Sequence, residues 1–437
     1  MRFLRSCLDG ISVLTLWMIL VLIPTAESSH LGDNYTVIKW ILVYVVLILE
    51  GIKFGFRKDF FWPKGKSFSI VFLIYILMLF LNSKVFPQHI FFESKNELAI
   101  FFAAIIFFYQ QVKASEWDFK SIEVPMAVGL TVVLGTSLVQ LLEMIAGSSL
   151  DWAAFNSFFG NNNMAAEYVV FLIPLQLYAL ERETKIKYIY KLFLVALSVA
   201  FVVLWSSRSA ALGAGLSLAL YLAMGKNFKK NAFIFMTIIG LSFASKHLLQ
   251  SIGSSQQVAT DKAVSTGIRM DLLRSGWQML KDKTSGIGES EYLFNSIPYQ
   301  RFTNSPADEN VLYKNPHNEF LRIGIEHGVF TLAIIIGIGL IFFYLLMKKR
   351  QERQEFILYA SLAMVALVQA LFQFPADNAF TYIFCALLLA LFLGWVSREN
   401  QTIAIKPLYR LILWAGVGFG IYMGSCFTIS KYIEYNY

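Results

Sequence analysis

Long apolar runs separated by short charged segments are the dominant pattern of this sequence. Nine runs lie at about 11–24, 37–52, 67–86, 97–112, 122–146, 164–180, 189–205, 210–224 and 232–245, and four more at about 328–347, 356–374, 378–396 and 408–429. Because a helix needs about 20 apolar residues to cross the hydrocarbon core of a bilayer, the pattern predicts an all-α polytopic membrane protein with 12 or 13 transmembrane helices. The smaller number applies if one short run does not cross or if the last run is re-entrant.

A long polar interval separates the ninth run from the tenth. We therefore divide the chain into an N-terminal transmembrane bundle (1–245), a loop domain (246–327) and a C-terminal transmembrane bundle (328–437). The loop domain is too short to bury a large core of its own, so we expect it to pack on the membrane bundle.

The loop domain contains the pattern of an amphipathic helix. After a stretch expected to be flexible (251–257), a helix is predicted to begin near Thr266 and to end near Gly286-Ile287-Gly288. Its predicted apolar side comprises Ile268, Leu272, Leu273, Trp277 and Leu280.

Composition supports the membrane class and excludes several others. Hydrophobic residues make up 57% of the 437 residues, and only 15% are charged. The net charge of +8 is explained by membrane topology, so we infer no binding to nucleic acid. Neither the three cysteines nor the five histidines show the spacing of a metal site, and no cofactor motif is present.

The distribution of basic residues predicts the orientation. With the N-terminus in the cytoplasm, 23 of the 37 Lys and Arg residues fall on the inner side and five in short outer segments. Short cytoplasmic segments are the ones enriched in Lys and Arg. The first run resembles a signal peptide, but Pro24 occupies a position where cleavage requires a small residue, which indicates an uncleaved helix. The loop domain is thereby placed on the outer side.

His317 is the first candidate for chemistry. It stands in Asn315-Pro316-His317-Asn318-Glu319, where the polar loop returns towards the membrane. Imidazole has an unperturbed pKa near neutrality, so it can accept and return a proton under working conditions. The alternative is that His317 only caps the following helix or lies at the level of the lipid headgroups.

Arg208 is the second candidate, in a very short outer turn between two apolar runs. A guanidinium near lipid is costly unless it has a partner, and its planar fork suits bidentate contact with phosphate oxygens. The alternative is that Arg208 extends its charged end to the membrane surface. Arg274, Arg301 and Arg322 are expected to be solvated or to pair with Asp271, Asp308 and Glu326.

Three successive asparagines precede the run that begins at Met164. Asn161, Asn162 and Asn163 are typical of a helix cap or a turn. The alternative is that they bind carbohydrate hydroxyls.

These segments, in this order, resemble the bacterial O-antigen ligase and O-antigen polymerase superfamily. The resemblance rests on Ser206-Ser207-Arg208-Ser209-Ala210, on the outer helix from Arg269 to Gly286-Ile287-Gly288, and on His317-Asn318-Glu319-Phe320-Leu321 with Glu326-His327-Gly328. Asn161-Asn162-Asn163-Met164-Ala165 is similar to the asparagine-bearing start of a mid-chain helix in this family. The first 150 residues match only in hydropathy, and a thirteenth span departs from the usual 12.

The resemblance implies a glycosyltransferase of the bacterial inner membrane whose active site faces the periplasm. Such an enzyme moves a glycan from undecaprenyl diphosphate to an acceptor hydroxyl, without a nucleotide sugar, an essential metal or a cofactor. On this basis Arg208 and Arg269 hold the diphosphate, and His317 takes the acceptor proton as general base. Glu326 orients His317 or Arg322, and Asn318 and Asn163 support the site.

Three acceptors stay open at this point. An O-antigen ligase, which length and loop position favour, uses the lipid A core. A polymerase uses another lipid-linked repeat, and a protein O-oligosaccharyltransferase uses an exported protein. A polysaccharide transporter, the non-enzyme alternative, predicts two corresponding halves with broken helices, whereas this chain has one asymmetric outer loop.

Overall fold

Helices account for most of the described part of a computed structural model of the chain. The structure describes residues 2–28, 35–57, 59–63, 97–114, 117–147, 155–180, 182, 185–224, 228–252, 256–289, 291–300, 313, 315–373, 378–397 and 400–404, with isolated positions after 413.

The described residues in the first half of the chain form helices and one short strand. The first helix contains a π-helical segment, Met18–Leu22, and continues into a short α2. The elements in chain order are α1 (Arg2–Trp17), α2 (Ile23–Thr25), α3 (Thr36–Phe56), β1 (Asp59–Pro63), α4 (Glu97–Lys113), α5 (Phe119–Ala146), α6 (Asn162–Leu180) and α7 (Lys185–Leu204).

The second half continues with helices and ends the described part on a second strand. Its elements are α8 (Arg208–Met224), α9 (Phe228–Ile252), α10 (Gln256–Asp282), α11 (Tyr292–Ser296), α12 (Glu319–His327), α13 (Val329–Lys348), α14 (Arg353–Phe372), α15 (Ala379–Val396) and β2 (Asn400–Ala404).

Seven of the described helical segments are long and apolar enough to cross a bilayer, so this is a multi-pass membrane protein. They are Leu8–Thr25, Phe119–Ala146, Asn162–Leu180, Ile186–Leu204, Val329–Lys348, Arg353–Phe372 and Ala379–Val396. Helix bounds lie within a few residues of the predicted runs wherever the chain is described, except at α9 and at the start of α1, which begins nine residues before the first run. Two predicted runs, 67–86 and 408–429, fall outside the described residues apart from isolated positions, so the total of 12 or 13 stays a prediction.

A two-stranded ribbon departs from the all-α prediction. β1 pairs antiparallel with β2, from Asp59 opposite Ala404 to Pro63 opposite Asn400. The pairing requires the loops after the second and twelfth predicted runs to lie on one side of the membrane. The predicted alternation of spans across the membrane places both loops on the same side.

The chain divides into two compact units. The first draws its described residues from 1–69, 95–206 and 376–437, and the second from 207–375. The three-part division at residues 245 and 327 concerns membrane topology and stays a prediction.

A buried polar network connects α1, α3 and α4 within the first unit. The Glu50 carboxylate accepts hydrogen bonds from Thr15 Oγ1 at 2.6 Å and from the Gln111 side chain. The Lys53 ammonium donates to Gln111 Oε1 at 3.1 Å and to Ser12. The two opposite charges therefore share a buried glutamine amide.

In the second unit, α8 packs against α14, and α12 leads directly into α13. Ser209, at the start of α8, bonds to Gln373, just after the end of α14, so these two helices run antiparallel. Gly328 joins α12 to α13 with a φ of +89°, a value that favours glycine. α10 packs on α12 through a cluster that includes Met279, Leu280, Tyr292, Leu321 and Ile325.

The predicted amphipathic helix is longer in the structure than the sequence indicated, and the side of it that is buried is a different one. α10 begins at Gln256, and α9 extends to Ile252, so the expected flexible stretch is helical at both of its ends. Leu272 and Leu280 are buried as predicted, but Leu273 and Trp277 are exposed. Small residues explain the difference, since Ser275 and Gly276 occupy the buried side, and a Cβ on Gly276 would lie 2.7 Å from the Leu321 side chain.

Candidate functional site

His317 lies at the entrance to α12 in a constrained backbone conformation. Its φ is +51°, in the left-handed region that histidine tolerates better than most residues. The His317 amide donates to Asn315 Oδ1 at 3.3 Å, and the Tyr313 ring lies 6.3 Å from the imidazole, edge towards face. Strained backbone of this kind is found at functional sites. The imidazole is half-buried.

Asn318 caps α12 and attaches it to α14. Its Oδ1 accepts from the Leu321 amide at 2.9 Å, while its Nδ2 donates to the Leu371 carbonyl at 3.0 Å. The first bond satisfies a backbone donor that the helix itself leaves open. The second places the residue next to His317 against the last turn of α14.

Arg208 is the first residue of α8 and is exposed. The neighbouring Ser209 is buried, and its hydroxyl accepts a hydrogen bond from Gln373 Nε2 at 3.0 Å. Gln373 follows Leu371 by two residues. The end of α14 therefore connects a neighbour of Arg208 with a neighbour of His317.

Arg269 lies on α10 and is half-buried. Burial lowers the pKa of its guanidinium, and the positive charge of Arg208 lowers that pKa further. The two guanidinium groups, 61 positions apart in the sequence, are thus close enough to repel one another. Such an arrangement favours the binding of an anion that neutralises both charges.

Arg322 is buried between two carboxylates of its own helix. Its guanidinium donates to Glu319 Oε1 at 3.1 and 2.5 Å and to Glu326 Oε2 at 2.9 Å. Pairing with Glu326 was one of the predicted alternatives and is confirmed, whereas solvation is wrong because Arg322 is only 7% exposed. Glu326 was predicted to orient either His317 or Arg322, and the structure shows its hydrogen bond with Arg322. Arg301 and Asp308 fall outside the described residues.

His327 ends α12 and is chemically unlike His317. Burial, with a smaller contribution from Arg322, lowers the pKa of His327 to about 3. The imidazole is therefore neutral at physiological pH and too weak a base to take a proton there.

Two glycines join the end of α10 to the junction of α12 and α13. Backbone bonds run from Ile287 to Ile325 (3.0 Å), from Gly288 to Glu326 (2.9 Å) and from Val329 to Thr284 (2.9 Å). Both Gly286 and Gly328 have a φ of +89°, and a Cβ on either would lie within 3 Å of the facing backbone. The Gly286-Ile287-Gly288 turn predicted from the sequence thus also attaches the helix that carries Arg269.

Asn163 belongs to the first turn of α6, in the first unit. The Asn163 amide donates to Asn161 Oδ1 at 2.8 Å, so Asn161 forms the cap of this helix. The predicted capping role therefore belongs to Asn161.

Gln373 and Ser209 are the residues that sequence reasoning missed. Gln373 was counted within an apolar run, and Ser209 only as a part of the Arg208 motif. A polar residue inside a predicted span is a signal that could have identified Gln373, but its partner is visible only in three dimensions. Among the described residues, no group of three or more His, Cys, Asp or Glu side chains forms a metal site.

The fold defines a multi-pass helical membrane protein whose second unit contains an assembly of arginine, histidine and carboxylate side chains. Residues 193–336, about a third of the chain, match the family model described as O-antigen ligase. This stretch is therefore similar to the O-antigen ligase family, whose members are glycosyltransferase-like ligases and polymerases. The matched stretch includes Arg208, Arg269 and His317. Comparison with curated proteins found no match.

Proposed function

We propose that this protein transfers a glycan from undecaprenyl diphosphate to an acceptor hydroxyl on the periplasmic side of the bacterial inner membrane, with the lipid A core as the favoured acceptor. The proximity of the Arg208 and Arg269 guanidinium groups carries the proposal. Holding two like charges together is costly unless an anion binds between them. A lipid-linked glycan donor has such an anion in its diphosphate.

Arg208 and Arg269 would bind the diphosphate and stabilise its departure. Negative charge grows on the diphosphate as its bond to the anomeric carbon breaks, and guanidinium groups already in position stabilise that charge without reorganisation. Arg208 also lies at the amino end of α8, where the helix dipole favours an anion. Because the diphosphate is a good leaving group, no separate general acid is required.

His317 would act as the general base. The acceptor oxygen attacks the anomeric carbon and forms the new glycosidic bond, while the electrons of the broken bond go to the diphosphate. The hydroxyl proton passes to the His317 imidazole. A single displacement of this kind inverts the configuration at the anomeric carbon. Of the two histidines flanking α12, His317 has this role because His327 is too weakly basic.

Asn318, Arg322 and Glu326 would position the base. Asn318 holds the start of α12 against α14, and the buried Arg322 bonds to carboxylates on either side of it in the sequence. These contacts restrict the movement of the helix that His317 precedes. Asn163 stays a predicted contact for carbohydrate hydroxyls, supported only by the resemblance of its motif.

Replacing His317 with Ala in the native host tests the proposal. The surface glycolipids, separated on a gel, are expected to show bare lipid A core while polymer accumulates on the lipid carrier. Wild-type glycolipids together with fully glycosylated exported proteins would contradict it. His247→Ala is the matched control, because His247 is exposed on α9 and has no role in the proposed chemistry.

Other outcomes in the same variant, including the glycosylation of exported proteins and the side on which the lipid-linked glycan accumulates, distinguish the alternative functions. Core capped with a single repeat would indicate an O-antigen or exopolysaccharide polymerase. Normal glycolipids with underglycosylated exported proteins would indicate a protein O-oligosaccharyltransferase. Accumulation of the lipid-linked glycan on the cytoplasmic side would indicate a transporter.

A further inference from the structure

An exposed apolar stripe follows one side of α10. Met270, Leu273 and Trp277 are 48%, 37% and 56% exposed. Their spacing of three and four residues places them on one face of the helix. The opposite face packs on α12 and includes Leu272, Gly276 and Met279. α10 thus has two apolar faces, and only one of them is covered by the described chain.

Hydrogen bonds hold α12 at the level where the membrane spans end. Its first turn is attached through Asn318 to the Leu371 carbonyl, in the last turn of the span α14. Its last residue is followed, after Gly328, by Val329, the first residue of the span α13. α13 and α14 are joined by a short turn, so the start of the first and the end of the second lie on the same side. Both ends of α12 are therefore at one surface of the membrane.

α10 shares this level because it packs along α12. Gly276 lies against Leu321 and Ile325, and the Val329 amide donates to the Thr284 carbonyl, just past the end of α10. The stretch from Arg269 to Asp282 is about 20 Å long at 1.5 Å per residue. α10 is thus attached to an element at the membrane surface along much of this length.

Cationic side chains border the stripe on both sides. Arg269 precedes it at the edge of the buried face, while Arg274 and Lys281 lie on its other side, and Lys281 Nζ is 5.7 Å from the centre of the Trp277 ring. An apolar face with tryptophan and flanking cations is typical of helices that lie in the interface of an anionic bilayer.

We propose that α10 lies on the outer surface of the membrane, with Met270, Leu273 and Trp277 inserted among the headgroups and upper acyl chains of anionic phospholipids. The placement of α10 does not itself depend on the proposed function. Only its meaning for catalysis rests on that proposal. The placement holds the Arg269 guanidinium at the depth of lipid phosphates, the depth at which the diphosphate of a membrane-anchored donor lies.

Fluorescence of labelled full-length protein in vesicles tests the placement. The three cysteines are replaced (Cys7, Cys385 and Cys426 to Ala), and a single cysteine is introduced as Leu273→Cys or, for the matched control on the exposed polar side, Gln278→Cys. Each is labelled with an environment-sensitive dye and reconstituted into phosphatidylglycerol and phosphatidylethanolamine vesicles. The label at 273 should be quenched severalfold more by nitroxide-labelled lipid than the label at 278. Aqueous iodide should show the reverse order.

Equal quenching of both labels by iodide, or equal quenching of both by lipid nitroxide, would overturn the placement. Neither result would affect the transferase proposal, which the His317→Ala glycolipid assay tests independently. Conversely, selective lipid quenching at 273 together with normal glycolipids and fully glycosylated exported proteins in His317→Ala would support the membrane placement and contradict the transferase.

As a second measurement, Leu273→Glu should lower transfer from a donor embedded in vesicles by about tenfold, whereas Gln278→Glu should leave the rate unchanged. Equal rates in these two variants would also contradict a role of the stripe at the membrane.

Discussion

The two units use charged side chains in opposite ways. In the first unit, Lys53 and Glu50 are buried, opposite in charge, and connected by hydrogen bonds to the same glutamine. In the second unit, Arg208 and Arg269 have the same charge, are at least partly accessible, and lie close enough to repel.

This difference separates a buried network of opposite charges from a pair of like charges that is suited to binding an anion. A buried pair of opposite charges with complementary hydrogen bonds is neutral as a whole and needs nothing from outside. Two neighbouring cations repel one another, and an anion bound beside both of them lowers that repulsion. Arg322, bonded to Glu319 and Glu326, belongs to the first kind although it lies in the second unit.

Removing one member of the buried pair should have the largest effect. Lys53→Met removes one of the two cations, Lys53 and Arg57, that bond to the glutamine shared with the Glu50 carboxylate, and loss of one partner from such a buried group costs about 3–5 kcal/mol of stability. Thermal unfolding in detergent would show a lower midpoint, and Glu50→Gln combined with Lys53→Met should recover most of it. An unchanged midpoint in the single variant would mean that the network contributes little to the fold.

Changing one of the neighbouring cations should affect transfer and not stability. Arg208→Lys keeps the charge but loses the planar fork, and loss of a group that stabilises transition-state charge lowers rates by about 100-fold or more. Transfer from a lipid-diphosphate donor would be measured in proteoliposomes, with Arg274→Lys on the exposed side of α10 as the control. Wild-type turnover in Arg208→Lys would remove Arg208 from the site.

The buried His327 predicts a pH dependence confined to the second unit. Its folded pKa of about 3 lies below the unfolded value of 6.5, so the unfolded state gains a proton first as the pH falls. Stability should be lost from about pH 6.5 downwards by roughly 1.4 kcal/mol per pH unit. The unfolding midpoint, measured from pH 7.5 to 5.5, should fall less in His327→Gln than in the wild type. Identical slopes would contradict this.

The smallest effect is expected at the contact between α8 and α14. Gln373→Leu removes the hydrogen bond to Ser209, which is worth about 1 kcal/mol and corresponds to roughly a fivefold lower transfer rate. Ser209→Ala should have a similar effect, and the double variant should be little worse than either. Gln351→Leu, in an exposed turn, is the control. Additive losses would show that the two side chains act separately.

Much of the fold could be predicted because hydropathy reports directly on a bilayer. The predicted runs at 164–180 and 328–347 correspond to helices at Asn162–Leu180 and Val329–Lys348. The ribbon of β1 and β2 was missed because its strands are short and more than 300 residues apart, so neither carries a local signal. The exposure of Trp277 was missed because helical periodicity does not say which of two apolar faces is covered.

The candidate site was predictable in its residues but not in its contacts. A charged or titratable side chain is conspicuous in a chain with few of them, which is why Arg208 and His317 were singled out. Arg269 was added only by the family resemblance. That Arg322 is buried between two carboxylates, and that His327 is held neutral, depend on burial, which periodicity alone does not determine.

The sequence by itself determined that this chain spans a membrane many times and which side chains are able to perform chemistry at its surface, because both follow from the local balance of apolar and charged residues. The tertiary structure alone decided that the charge of Arg208 acts on Arg269, that the end of α14 bonds to the neighbours of both Arg208 and His317, and that one apolar face of α10 is exposed. Those facts depend on contacts between residues far apart in the chain, which local composition does not encode.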